Sequence, residues 1–100
     1  MKLYDLKTEY RENPIGLTDK TPRFSWKMES EEQNTIQTAY EIHVTDENGN
    51  VVWNSGKKVS DQSVLIPYEG EKLADEMLYK VEVSVADNHG NVEAIEGTFE

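Results

Sequence analysis

The clearest pattern in the chain runs from Tyr79 to Asp87, where Tyr79, Val81, Val83 and Val85 alternate with Lys80, Glu82, Ser84 and Ala86. A period of two marks a strand with one face in a core and one in water. Leu73 stands six residues ahead of Tyr79, across a polar bend. This is the layout of a tyrosine corner, in which a Tyr at the start of a strand returns its hydroxyl to the backbone just upstream. Leu73 and Tyr79 are therefore expected in the core with Val81, Val83 and Val85.

The remaining segments follow in order. Residues 2–8 carry Leu3, Tyr4 and Leu6 in a mixed pattern that suits an edge strand. Asn13-Pro14-Ile15-Gly16 predicts a turn, because Pro14 drives Asn13 out of the helical region and Gly16 allows positive φ. Residues 23–28 put Phe24, Trp26 and Met28 on one face and Arg23, Ser25 and Lys27 on the other; the polar stretch 29–35 reads as a loop. Residues 39–46 repeat the alternation, with Tyr40, Ile42 and Val44 inward and Glu41, His43 and Thr45 outward. Asn48-Gly49 predicts a type I′ hairpin turn, which brings residues 51–53 back against that strand.

Asn54-Ser55-Gly56 breaks the strand, and residues 57–60 are charged and edge-like. Residues 63–68 are apolar on both faces, as a strand between two layers would be, and Pro67 stops it. Asn88-His89-Gly90-Asn91 reads as a second turn. In the last strand, 92–99, Val92 and Ala94 are out of phase with Ile95 and Phe99, which predicts a bulge near Ala94. About seven short strands without a helical pattern predict an all-β, antiparallel two-sheet Greek-key sandwich, fibronectin type III or immunoglobulin-like, over residues 1–100 as one domain.

Composition narrows the function classes. Ten basic and twenty acidic residues give a formal charge of −10. Such a surface repels phosphate backbones and anionic lipid heads, so nucleic acid and membranes are not expected partners. The absence of cysteine removes disulfides, thiolate nucleophiles and zinc-thiolate sites. The N-terminus has no apolar signal segment and no run approaches a spanning helix, so a native start at Met1 implies a cytoplasmic protein.

Candidate chemistry is sparse. Asp46, Asn48 and Asn50 fall at positions one, three and five of a calcium loop, but its sixth and twelfth positions hold Val51 and Lys57 instead of Gly and Glu. Asp87, His89 and Asn91 fail in the same way at Val92. His43 and His89 have no second His at ligand spacing, and Ser, His and acid combinations carry no weight without geometry. Paired carboxylates for glycoside hydrolysis need a cleft, and a small sandwich spends both inner faces on its core. No catalytic, cofactor or metal residue is assigned, no cofactor is expected, and the chain itself is not read as an enzyme. Trp53 and Tyr68 are ambiguous: as exposed aromatics they, or Tyr4, could stack on a sugar; otherwise they serve the core or a domain contact.

Several ordered motifs together point to a family. Leu6-Lys7-Thr8-Glu9-Tyr10, Asn13-Pro14-Ile15-Gly16, Thr21-Pro22-Arg23-Phe24-Ser25-Trp26 and Gln37-Thr38-Ala39-Tyr40-Glu41-Ile42 closely resemble the N-terminal segment of bacterial α-L-rhamnosidases. Trp53-Asn54-Ser55-Gly56-Lys57 and Ser60-Asp61-Gln62-Ser63 fit the same pattern, and the match covers nearly the whole chain. The tight Asn48-Gly49 turn departs from relatives that carry a longer insertion there. The resemblance implies a fibronectin-like sandwich that packs against other domains of the same polypeptide and supports the catalytic part. It also implies that the acidic catalytic residues lie in an (α/α)6 toroid outside these residues, so none carries over. A carbohydrate-binding module, with rhamnose-containing sugar as partner, is the alternative.

Overall fold

Two long strands form the centre of the molecule, β3 (Gln37–Asp46) and β6 (Tyr79–Asp87). They pair antiparallel so that Tyr40 faces Val85, Ile42 faces Val83 and Val44 faces Val81, three rungs of buried side chains. β4 (Val51–Asn54) adds to the free edge of β3 and β7 (Val92–Phe99) to that of β6, giving the order β4-β3-β6-β7. A second sheet holds β1 (Lys2–Thr8), β2 (Arg23–Glu29) and β5 (Ile66–Pro67) in the order β1-β2-β5. All pairings are antiparallel, and the chain changes sheet after β2, β4 and β5, which makes an immunoglobulin-like two-sheet sandwich. The structure, a computed structural model, describes residues 1–9, 12, 21–74 and 77–100. The turn expected at Asn13-Pro14-Ile15-Gly16 lies outside them.

Between the sheets, Phe24 and Trp26 from β2 meet Tyr40, Ile42, Val44, Val81, Val83 and Val85, with Leu73, Tyr79 and Phe99 closing one end of the core. β1 contributes both Leu3 and Leu6, which a strict alternation would send to opposite faces. Asp5 resolves this: it adopts φ +51°, and the β1–β2 register shifts between Tyr4 and Lys7, so one extra residue returns Leu6 to the inside. At the other end of β1, Glu9 clasps Arg23, with Nη2 to Oε2 at 2.7 Å and Nε to Oε1 at 3.0 Å.

A buried polar bridge ties the first sheet to the loop that follows β4. Trp26 Nε1 donates to Gln37 Oε1 at 3.0 Å, and Gln37 Nε2 donates to the carbonyls of Ser60 and Gln62. At the corner, the Ala74 N–H donates to the Tyr79 hydroxyl at 2.7 Å, and the Tyr79 ring stacks on Phe99 with centroids 5.2 Å apart.

Three local expectations need correction. The Asn48-Gly49 turn is not type I′, since only Gly49 has positive φ, at +85°. The Gly49 N–H donates to the Asp46 carbonyl and the Asp46 N–H to the Asn50 carbonyl, which is a three-residue loop ending in a left-handed glycine. Gly90 does the same after Asp87, with φ +84°. Residues 63–68 are not a strand between two layers: only Ile66–Pro67 pair, Val64 is exposed, and Leu65 turns through φ +53°. The register of β6 with β7 is unbroken, so there is no bulge near Ala94. Val92 and Ala94 are out of phase because they lie on the outer face, opposite Ile95 and Phe99.

Candidate functional site

The aromatic candidates come first, because a sugar platform requires a free ring face. Trp53 pairs with Val44, a core residue, and so points inward from the edge strand β4. Its ring is half-buried, stacked 6.2 Å from Phe24 and edge-on 5.3 Å from Tyr68. Tyr68 is only 2% exposed. Its hydroxyl donates to the Glu71 carbonyl, with the Val52 carbonyl 3.3 Å away, and burial pushes its pKa up to about 12. Of the two readings left open for Tyr68, its burial favours the core one: the chain after Pro67 folds the ring under β4. Gly70 makes this possible, since a Cβ there would lie 2.4 Å from Trp53 Cβ and 2.6 Å from the Tyr68 hydroxyl. Tyr4 is half-buried opposite Lys27 on β2. No signal in the sequence singled out Gly70, because the close approach is made by residues distant along the chain.

The acidic turns also have a local purpose. Asp46 Oδ1 accepts the N–H groups of Asn48 and Asn50, each at 2.9 Å, and Oδ2 accepts Asn50 Nδ2. Asp87 repeats the arrangement with His89 and Asn91. The two turns share the pattern Asp-x-x-Gly-Asn, at 46–50 and 87–91. The backbone N–H of Asn50 leads the groups that hold the Asp46 carboxyl below its ordinary range. At Asp87, burial works upward but is outweighed by the hydrogen bonds from Asn91 and His89, and the net shift is down. These carboxylates are spent on turn amides. Among the described residues, no three His, Asp or Glu side chains are grouped to hold a metal. His43 pairs with Glu41 at 3.1 Å on the outer sheet face, and His89 sits 3.6 Å from Glu32.

A shallow hollow of about 230 Å³ lies on the outer face of the four-stranded sheet. Ala39, Ser84, Ala86 and Val92 line it together with the charged Glu41 and Lys57. A roomier depression of about 600 Å³ lies between Met1, Lys2 and the acidic stretch after β2. Two of its lining acids are paired, Glu29 with Lys2 at 4.0 Å and Glu32 with His89 at 3.6 Å, and both pairs are partly solvated, so they contribute little.

Comparison with known proteins places this geometry. The family model described as Rha78A-like, N-terminal immunoglobulin domain matches residues 3–100. An α-L-rhamnosidase of Streptomyces avermitilis is 41% identical over 86 residues, 82% of this chain and 8% of that protein. One from Formosa agariphila is 36% identical over 83 residues, 77% of this chain and 9% of that protein. The crystal structure of the Streptomyces avermitilis α-L-rhamnosidase with L-rhamnose superposes with a TM-score of 0.91 at 35% identity, over 99% of this chain and 10% of that one. The α-L-rhamnosidase structure from Dictyoglumus thermophilum gives 0.89 at 35% identity, over 100% of this chain and 12% of that one. This chain spans roughly a tenth of the length of these relatives. With its sandwich topology and a family match that runs almost from end to end, the chain belongs to the N-terminal immunoglobulin-domain family of the Rha78A-like α-L-rhamnosidases.

Proposed function

We propose that this chain is a non-catalytic accessory sandwich of an α-L-rhamnosidase, which packs against other domains of the same polypeptide and supports the catalytic part. The observation that carries the reading is the match over residues 3–100 to an N-terminal domain of enzymes in which such a segment is 8% or 9% of the length. The packing of the chain agrees with it. Both inner sheet faces go to the core, Asp46 and Asp87 cap turns, and the Tyr68 ring is enclosed.

The test is direct. The purified chain should release no nitrophenol from a nitrophenyl α-L-rhamnoside above buffer. Titration with millimolar L-rhamnose should leave tryptophan fluorescence and amide NMR shifts flat. Turnover that co-purifies with the chain would overturn the non-catalytic reading, and saturable shifts at Trp53 would favour sugar binding instead.

A further inference from the structure

The outer face of the four-stranded sheet changes character from one end to the other. Ala39 pairs with Ala86, and Ala86 with Val92. Lys58 bridges to the inward-facing Tyr40, so Val59, the next residue, lies on the outer side beside Ala39. Val59, Ala39, Ala86 and Val92 therefore form one aliphatic row across the sheet. The next rung is Glu41, Ser84 and Ala94, and the one after it is His43, Glu82 and Glu96, wholly polar. The hollow lies at the aliphatic end, where two alanines sit low between Lys57 and Val92. Val59 is 86% exposed and Val92 67%, so neither valine serves the core.

We propose that this aliphatic row is the face through which the sandwich docks on a neighbouring domain of its own polypeptide; the inference rests on the accessory reading above. Three observations select that occupant. The relatives have ample chain to supply it, since this segment is 8% of the Streptomyces avermitilis enzyme. The row is small: Ala39 is already buried, so Val59, Val92 and the half-buried Ala86 are what it offers, well short of the ~1,200 Å² that a free-standing complex buries, and such a patch suffices only when a tether supplies a high effective concentration. A second copy is disfavoured by charge, because each chain carries −10 and Glu41 borders the row.

Single-thiol probes test the proposal, since the chain has no cysteine of its own. Val59→Cys and Val92→Cys mark the row, Glu96→Cys marks the polar part of the same face, and Val64→Cys lies away from this sheet. Each variant is labelled with iodoacetamide, as the isolated chain and joined in place of the matched segment of the Streptomyces avermitilis enzyme, and followed by peptide mass mapping. Rhamnoside turnover reports that the remainder of the joined protein is folded. Labelling at positions 59 and 92 should slow about tenfold on joining, with position 96 unchanged. Slowing at 96 or 64 without slowing at 59 and 92 would overturn the assigned face and leave the accessory reading standing. Slowing at none of the four would overturn both.

Discussion

The Tyr79 hydroxyl accepts the Ala74 N–H at 2.7 Å, which fastens the approach to β6 onto the strand it leads into. Tyr79→Phe removes that acceptor and leaves the ring stacked on Phe99. The loss should be about 1 kcal/mol, or a fall of about 4–8 °C in Tm for a domain of this size. Urea unfolding followed by circular dichroism measures it, and an unchanged midpoint would show that the corner bond contributes nothing.

Gly70→Ala should be costly for a steric reason. The added methyl would sit 2.4 Å from Trp53 Cβ and 2.5 Å from the Val52 carbonyl, so β4 or the Tyr68 ring has to move. Overpacking of this kind costs about 1–3 kcal/mol. A variant with wild-type stability and an unshifted Trp53 NMR signal would contradict the described approach.

Trp26 and Gln37 should behave as a coupled pair. Trp26→Ala removes a buried indole and should cost about 3–5 kcal/mol. Gln37→Leu leaves the indole N–H without its acceptor and should cost about 1–3 kcal/mol. In a double-mutant cycle with Trp26→Phe, the combined loss should be smaller than the sum of the single losses; strict additivity would mean the bond is idle.

Stability should decline at both ends of the pH range. The carboxyls of Glu9, Asp46 and Asp87 are held low, Glu9 chiefly by the Arg23 side chain. Their folded values lie below the unfolded ones of about 4, so their stabilisation is present above about pH 4 and drains as pH falls through the lowered values. Tyr68 works in the other direction: its folded pKa of about 12 lies above its unfolded one. Its contribution holds below about pH 10 and is lost as pH rises through the folded value. Thermal melts from neutral to acid pH check the first arm. Asp46→Asn with Asp87→Asn should flatten the acid limb, and an identical limb in that variant would remove these turns from the explanation.

The parts of this fold that repeat locally were legible in the sequence. The period-two runs at 23–28, 39–46 and 79–87 are long enough to declare their inward residues, and Leu73 with Tyr79 marked the corner. What failed depended on contacts between distant segments. Ser63 to Tyr68 looked buried on both faces because Val64 and Leu65 are apolar, but a left-handed Leu65 throws Val64 into solvent. Val92 and Ala94 look misplaced because apolar residues on the outer face of a strand mimic a shift of phase. The turns at 46–50 and 87–91 are legible as turns and fail as cation loops, but that their carboxylates cap backbone amides depends on a geometry the residue types alone do not specify. Trp53 was ambiguous because parity at an edge strand depends on a register shift between Val44 and Thr45 that no local residue announces.

The central claim is that the sandwich supports a catalytic unit located elsewhere in the polypeptide. The measurement that tests it most directly is the thermal inactivation half-life of the Streptomyces avermitilis α-L-rhamnosidase in three forms: intact, lacking the matched segment, and with this chain in its place. Deletion should shorten the half-life and replacement should restore most of it, with the chain alone showing no turnover. A deleted enzyme as long-lived and active as the intact one would contradict the account.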